Sequence, residues 1–376
     1  MSILITGGAG FIGAALAERL NSEGHDVRVL DSLSTQVHGE DPTMSPTLQL
    51  AQKNAEVVRG SVTTRSDLEE ALGGVEVVVH LAAETGTGQS MYQIERYTHT
   101  NVGGTALLLD VLRNTHHDVR KVIVASSRSV YGEGKYHAEG LGDVYPGPRK
   151  DRDLERGHYD PTICDYDGQL TLRATDEESR IRPSSIYAIT KHTQEQLVMT
   201  ACASMGIPAV ALRFQNVYGP GQSPNNPYTG ILSIFSKQIL TGERINIFED
   251  GKESRDFVFI DDVVEAASRT IDASDADGQV VNVGSGVATS ILEVVSSLFS
   301  AFGKKVPVDI TGVYRLGDIR HNYADISKLR RLLGSQPKVD FSSGSKLFAD
   351  WVTTQQLASN QYLHSLEELR ARHLLR

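Results

Sequence analysis

Tyr187 and Lys191 stand four residues apart in Tyr187-Ala188-Ile189-Thr190-Lys191. A helix predicted to begin near Ser184 and Ser185 puts the phenol and the ammonium on one face. An adjacent ammonium favours phenolate and lowers the phenol pKa from its usual value of about 10. Such a tyrosine can take a proton from a hydroxyl group and later return it. The same spacing is common on helices that do no chemistry, so the pair alone decides nothing. Val124-Ala125-Ser126-Ser127-Arg128-Ser129-Val130-Tyr131-Gly132 adds a predicted strand ending in small hydroxyl residues. In a parallel sheet the C-terminal strand ends face the ligand crevice, where Ser127 can hydrogen-bond a reacting oxygen. Serines also end strands for turn reasons, and for Ser127 alone both readings stand.

Ile3-Leu4-Ile5-Thr6 runs into Gly7-Gly8-Ala9-Gly10-Phe11-Ile12-Gly13. A lone G-x-x-G-x-x-G is weak evidence, but here the glycines follow an apolar strand and open a helix. One glycine allows a tight turn, another lets backbone approach a diphosphate, and the third lets helix meet strand. The diphosphate then sits on the helix N-terminus, where unpaired N–H groups and the dipole favour negative charge. Asp31 ends the second predicted strand, 18 residues after Gly13. Its carboxylate can accept both ribose hydroxyls and repels a 2′-phosphate, which favours NAD over NADP. The alternative is an ordinary strand–helix turn with a surface aspartate.

Positioning these groups requires a sheet with helices on both faces. Ile3–Thr6, Val27–Asp31, Ala55–Val58, Val75–Leu81, Val122–Ser126 and Ala209–Arg213 read as strands, nearly continuous apolar runs suited to burial on both sides. Gly13–Asn21, Arg65–Leu72 and Val102–Asn114 read as amphipathic helices between them. The alternation predicts an α/β fold, a Rossmann-type doubly wound parallel sheet with a smaller mixed α/β domain. We expect residues 1–215 in the first domain, with 253–275 returning to it, and 216–252 and 276–376 in the second. In the second, Asn246–Phe248, Asp256–Ile260 and Val280–Val283 read as short strands. Gly132–Pro183 breaks the rhythm with Gly, Pro, Asp, Arg and Tyr and no sustained period, as functional or mobile inserts do. The tail 361–376 has leucines at helical spacing and reads as a surface helix, a candidate for packing on a partner.

The 376-residue chain carries 37 basic and 47 acidic side chains, a formal charge of −10. That excludes a global cationic field for nucleic acid or anionic membranes, though not a locally basic pocket. Two cysteines, Cys164 and Cys202, allow no disulfide framework or four-cysteine zinc site, so no metal is expected and a reducing cytoplasm fits. The opening apolar run is too short for a signal peptide, and no run of 18 apolar residues follows.

Further segments carry a resemblance. His80-Leu81-Ala82-Ala83, Asn101-Val102-Gly103-Gly104-Thr105, Leu212 to Gly221, Arg255 to Val263 and Arg315-Leu316-Gly317-Asp318-Ile319-Arg320 join the three motifs in order. Over about residues 1–340 the chain resembles the extended short-chain dehydrogenases/reductases that act as nucleotide-sugar epimerases and dehydratases. The resemblance implies NAD as cofactor, a nucleotide-diphosphate sugar as substrate, and a homodimer paired through the helix after Asn101 and the Tyr187 helix. It implies that Ser127, Tyr187 and Lys191 are the catalytic triad, Lys191 also holding the nicotinamide ribose. It places the cofactor against Gly7, Gly10, Phe11, Ile12, Gly13, Asp31, Ser61, Val62, Leu81, Ala82, Ala83 and Asn101. It places the substrate against Thr85, Ser127, Arg128, Asn216, Phe248, Arg255, Arg315 and Asp318, the arginines Arg255 and Arg315 gripping the diphosphate. The smaller domain then binds the nucleotide sugar. Ser61 stands where the family often has an adenine-contacting aspartate, and the insert is longer than in UDP-galactose 4-epimerases.

Three reactions on such a scaffold begin by removing hydride from C4 of the sugar. A 4,6-dehydratase carries Asp-Glu after the catalytic hydroxyl residue, and a decarboxylase commonly a glutamate there; this chain has Arg128-Ser129. A 4-epimerase needs no further acid or base, and is the expected reaction. The stretch Ala82 to Ser90, the Ser-Ser-Arg-Ser-Val-Tyr-Gly segment and the insert are similar to the dTDP-L-rhamnose 4-epimerase group. That group often has paired cysteines in the insert, whereas here Cys164 is followed by Asp165, Tyr166 and Asp167. A non-catalytic NAD-sensing protein of the same fold is the alternative of a different class.

Overall fold

Apolar strands buried on both faces build the centre of the molecule, a computed structural model that describes residues 1–223, 230–355 and 361–376, with 361–364 as backbone only. The strands are β1 (Ser2–Thr6), β2 (Asp26–Asp31), β3 (Glu56–Arg59), β4 (Val77–His80), β5 (Lys121–Ser127), β6 (Ala209–Phe214) and β7 (Val280–Val283). They form one sheet in the order β7-β6-β5-β4-β1-β2-β3, every neighbouring pair parallel. Successive strand residues point to opposite faces. Ile3, Ile5, Val77 and Val79 accordingly join one apolar cluster with the helices Phe11–Ser22 and Ile260–Asp272. Leu4, Val78, Val122 and Val124 join the other, with the helices Arg65–Leu72, Gly104–Asn114 and Ile186–Met205. Each such aliphatic side chain contributes roughly 1.5–3 kcal/mol by leaving water.

The order reverses at β1, which lies between β2 and β4. A crevice opens there at the carboxyl ends of the strands, the position at which open α/β sheets bind ligands. Two glycines make it possible. Gly7 has φ +69° and a Cβ on it would lie 2.8 Å from the Ala82 backbone, while a Cβ on Gly13 would lie 2.5 Å from Gly8 Cα.

Val280–Val283, expected in the second domain, is instead the edge strand of the main sheet, because its apolar residues cover β6. The insert has more structure than its composition suggests. Tyr136–Ala138 pairs antiparallel with Gly142–Val144 and with Leu170–Leu172. Strands of three residues are too short to show a period. The smaller substructure pairs Asn216–Tyr218 with Phe257–Phe259, Ile245–Ile247 with Val308–Ile310, and Ser254–Arg255 with both Thr289–Ser290 and His321–Asn322.

Leu108, Val111 and Leu112, on the helix through which the resemblance implies dimer pairing, are buried inside the protomer. The tail forms the helix Gln361–Ala371, but Leu366, Leu369 and Leu375 dock on the chain's own Tyr92, Phe248 and Val313. Among the described residues no helix is long and apolar enough to cross a membrane.

The glycines make a test of the crevice. Gly13→Ala forces backbone apart and should destabilise the fold by roughly 1–3 kcal/mol, as overpacking does, seen as a lower Tm. Gly10→Ala meets only Gly7 O at 3.3 Å and should melt near the parent temperature while losing NAD affinity. Equal melting of the two variants would contradict this assignment.

Candidate active site

Ser127 is the last residue of β5, and Tyr187 lies in the first turn of the helix Ile186–Met205. Ser185 caps that helix by accepting the Ala188 N–H at 3.1 Å, which fixes where it starts and so where Tyr187 points. The Ser127 hydroxyl lies close enough to the Tyr187 phenol to favour its ionised form. Ser127 Oγ also accepts from the Ser129 N–H at 3.2 Å and the Ser129 hydroxyl at 3.0 Å. Tyr97 meets the Tyr187 ring edge-on, with centroids 6.5 Å apart.

Lys191 is buried one turn on, and its Nζ donates to Gln194 Oε1 at 2.7 Å. A polar thread continues from there through the core. Gln194 Nε2 donates to Thr105 Oγ1 at 2.8 Å, while the single Thr105 hydroxyl hydrogen goes to the Asn101 carbonyl at 2.6 Å. His80 Nε2, 2.9 Å from the same oxygen, must then carry the ring hydrogen, so Nδ1 accepts from Thr6 Oγ1 at 2.7 Å. Burial, with the Lys191 charge, holds His80 down at about 3, so the ring stays neutral.

The expected effect of Lys191 on Tyr187 is not the one observed. Burial pushes the phenol up, opposed by the Ser127 hydroxyl and by the Arg128 charge. The cation nearest in effect is thus Arg128, because Lys191 is turned to Gln194. Burial also pulls Lys191 itself down to about 7, against the pull of Glu195.

The glycine loop has the form of a dinucleotide cradle. The helix Phe11–Ser22 has no side chain capping its N-terminus, so its first N–H groups, at Phe11, Ile12 and Gly13, remain for an anion. Asp31 accepts the Ala9 N–H at 3.0 Å on one oxygen and the Leu33 N–H at 2.9 Å on the other, tying the loop to β2. Each carboxylate oxygen keeps a lone pair for a ribose hydroxyl. Leu81, Ala82 and Ala83 follow β4 and are partly exposed at the crevice. These residues fit NAD. The Ser61 N–H donates to Asp67 at 2.8 Å and its hydroxyl pairs with Thr63, while Val62 packs in the core, leaving mainly backbone to the cofactor. Asn101 is fully buried, and its amide joins the Glu84 N–H, the Glu84 carbonyl and Thr190, so both of its side-chain hydrogens are spent on positioning the Glu84 loop.

On the other side of the crevice, Arg128 Nε donates to Asn216 Oδ1 at 2.7 Å. Arg255 differs from expectation: it is buried and donates to the carbonyls of Ser254, Arg320 and Ile319 and to Asp318 Oδ1. Only its Nε hydrogen is left for a ligand. Arg315 is the more open cation, stacked 5.7 Å over the Phe248 ring, with a buried Nε that has no partner. Burial pushes the Asp318 carboxyl up, but Arg255, Arg315, Arg149 and Arg128 outweigh it and hold the group at about 2. Thr85 is exposed on the loop after β4, its carbonyl accepting the Tyr97 hydroxyl at 2.6 Å.

Sequence reading missed a buried ion network next to this site. Arg149 of the insert forms a two-pronged pair with Glu249 at 2.8 Å, and Arg320 bonds Glu249, Asp250 and Asp160. Glu133, raised by burial to about 7 despite the Arg149 charge, accepts the Arg320 N–H at 2.8 Å. No local spacing announces such long-range pairs. Gln194 was findable, since it lies three residues beyond Lys191 on the same helical face.

The sequence profile of the NAD dependent epimerase/dehydratase family matches residues 3–284. The chain is 37% identical over 355 residues to a dTDP-L-rhamnose 4-epimerase of Burkholderia thailandensis, covering 94% of this chain and 95% of that one. It is 32% identical over 349 residues to a UDP-glucose 4-epimerase of Mycolicibacterium smegmatis, covering 92% and 96%. A crystal structure of a UDP-glucuronic acid 4-epimerase variant from Bacillus cereus, with UDP-4-deoxy-4-fluoro-glucuronic acid and NAD, superposes with a TM-score of 0.76 at 28% identity. It covers 94% of this chain and 99% of that one.

Lys191 provides a pH test on the cofactor-free protein. Folded, it releases its proton near pH 7; unfolded, near the ordinary lysine value of 10.5. Between those values the unfolded chain holds more protons, so stability rises with pH. Denaturant unfolding from pH 7 to 10 should show this rise in the parent and not in Lys191→Met. Parallel curves would refute it.

Proposed function

The chain belongs to the NAD dependent epimerase/dehydratase family, and from that membership we propose that it is a nucleotide-sugar 4-epimerase, with dTDP-L-rhamnose as the first substrate to try. The observation that carries the reading is the Ser127–Tyr187–Lys191 constellation at the crevice, followed by Arg128-Ser129 in place of an eliminating acid–base pair. The 37% identity to a dTDP-L-rhamnose 4-epimerase supports the substrate. Bound NAD supplies the hydride acceptor and donor at C4.

The chain's own residues do the rest. Tyr187 takes the C4 hydroxyl proton and returns it after the sugar has turned over, and Ser127 holds the same oxygen by hydrogen bonding. Arg128 offers positive charge beside Tyr187, which stabilises phenolate as the proton arrives. Lys191 exchanges Gln194 for the nicotinamide ribose. Asn216 and Arg315 hold the nucleotide diphosphate, with Arg255 setting the position of Asp318 beside them. Phe248 gives the base an aromatic face, and Arg315 already stacks on it. The free thiols Cys164 and Cys202 suit a reducing cytoplasm.

A homodimer is part of the proposal. Its support is the outer surface of the two helices Gly104–Asn114 and Ile186–Met205, where Ile189 is 49% exposed and Leu107 and Met199 are partly exposed. Light scattering at micromolar concentration should give twice 41.0 kDa; a mass of one chain would remove the dimer.

The function is tested by incubating dTDP- and UDP-sugars with the enzyme in deuterated water and reading products by NMR. A C4-inverted product without carbon-bound deuterium is expected, because the hydride never exchanges with solvent. Deuterium at C3 or C5 would indicate epimerisation beside a ketone, and at C6 dehydration. Tyr187→Phe should lower turnover by roughly 10² to 10⁴, the scale of general acid–base catalysis, with NAD still bound.

A further inference from the structure

Residues 312–325 form a strap that carries Arg315 and Asp318, and two distant parts of the chain hold it from opposite sides. The insert and its flanks grip one side. The Tyr159 hydroxyl donates to the Gly312 carbonyl at 3.2 Å, Arg149 to the Asp318 carbonyl at 3.0 Å, and Ser184 to the Gly317 carbonyl at 3.1 Å. The end of the chain grips the other. Tyr314 and Arg376 exchange backbone hydrogen bonds of 2.8 and 3.0 Å, and the Leu316 N–H donates to the Leu374 carbonyl at 3.0 Å. Arg315 is therefore held in a short antiparallel bridge with Leu375.

One carboxylate joins all three pieces. Asp151 of the insert accepts the Tyr314 hydroxyl at 2.6 Å on one oxygen and pairs with the Arg376 guanidinium on the other. The tail then crosses to the loop after β4. Leu369 lies against Gly88, close enough that a Cβ there would touch it at 3.6 Å. The Tyr92 hydroxyl donates to Glu368 at 2.7 Å, and Arg372 lies 4.2 Å over the Tyr92 ring. One segment thus spans from the Phe248 and Arg315 side of the crevice to the Thr85 side.

Arg315 is the reason this matters. None of its nitrogens donates to a described residue, and its buried Nε has no partner. A buried N–H without a partner is costly unless a ligand oxygen completes it. Its backbone is held by the tail, so the tail decides where that charge points.

We propose that residues 365–376 are part of the substrate site. They hold Arg315 toward the diphosphate and close the nucleotide end of the crevice, and Asp151 is the positioning residue that fixes them. This rests on the reading of Arg315 as a diphosphate anchor. The tail then serves retention: a 4-keto sugar freed from its hydroxyl contacts must stay until hydride returns.

Leu369→Glu places a charge in the apolar seat of the tail, and Asp151→Asn removes the charge that pairs with Arg376. Leu369→Glu should weaken dTDP and UDP binding by calorimetry, and raise KM for the nucleotide sugar, by about tenfold, and Asp151→Asn by about threefold. Both variants should strand NADH on the enzyme during turnover, seen as absorbance at about 340 nm, and keep parental NAD affinity and kcat pH profile. Unchanged diphosphate affinity with no NADH in either variant would overturn the proposal. Should Leu369→Glu fail to fold, Asp151→Asn with Tyr92→Phe decides by the same two readouts. A parent chain that binds neither diphosphate would overturn the function itself, and the role of the tail with it.

Discussion

Everything in this molecule is arranged around a contact with no side chain in it, the approach of the Gly7 backbone to the backbone of Ala82. It brings the ends of β1 and β4 close at the place where the strand order reverses. The loop can then turn over the crevice with the first N–H groups of the following helix free, and Asp31 can reach across to fasten it. The same strand ends carry Thr6 and His80, from which the polar thread runs to Lys191. Cofactor cradle and catalytic helix are thus referenced to one point. A buried, fully partnered thread of this kind fixes geometry well, and it fails badly if one member is lost.

Charge on the far side of the crevice follows a different logic. Arg149, Arg255 and Arg320 are committed to Glu249, Asp250, Asp318 and backbone carbonyls. Burying ion pairs gains little net stability, but leaving one partner alone is expensive. Such a network therefore holds register more than it adds stability. What it holds is the strap with Arg315 and Asp318. The structure separates arginines whose donors are spent within the protein from Arg315, whose buried Nε has no partner, a distinction invisible when both appear as arginines in motifs.

The fold was legible to the extent that its signals are local. Apolar runs such as Val122–Ser126 and the glycine spacing need only neighbouring residues, and the structure extends that strand by one residue at each end, to Lys121–Ser127. The placement of Tyr187 and Lys191 on one helix was legible because i, i+4 spacing is itself geometry. Elsewhere the sequence misled for stated physical reasons. Leu108 and Val111 lie on the helix that the resemblance assigned to a dimer seam, and a helix pattern does not say which body covers it. For Asn101, a motif position does not reveal that its amide is already tied to the Glu84 loop and Thr190. The pull of Lys191 on Tyr187 followed from spacing, yet burial and a turn toward Gln194 reversed the outcome. The insert and the tail were opaque because their meaning lies in contacts with segments distant in the chain.

The edge strand Val280–Val283 ties the later part of the chain into the first sheet. One apolar cluster contains Ile3 and Val79 together with Ile291, Leu298 and Val352. The two halves therefore have no seam along which to separate, and they should melt as one cooperative body. An enzyme with a seam can admit its substrate by swinging a whole domain. Here one apolar cluster underlies both walls of the crevice. The pivoting that inversion at C4 demands is then expected of the small molecule, turning between walls that share a core.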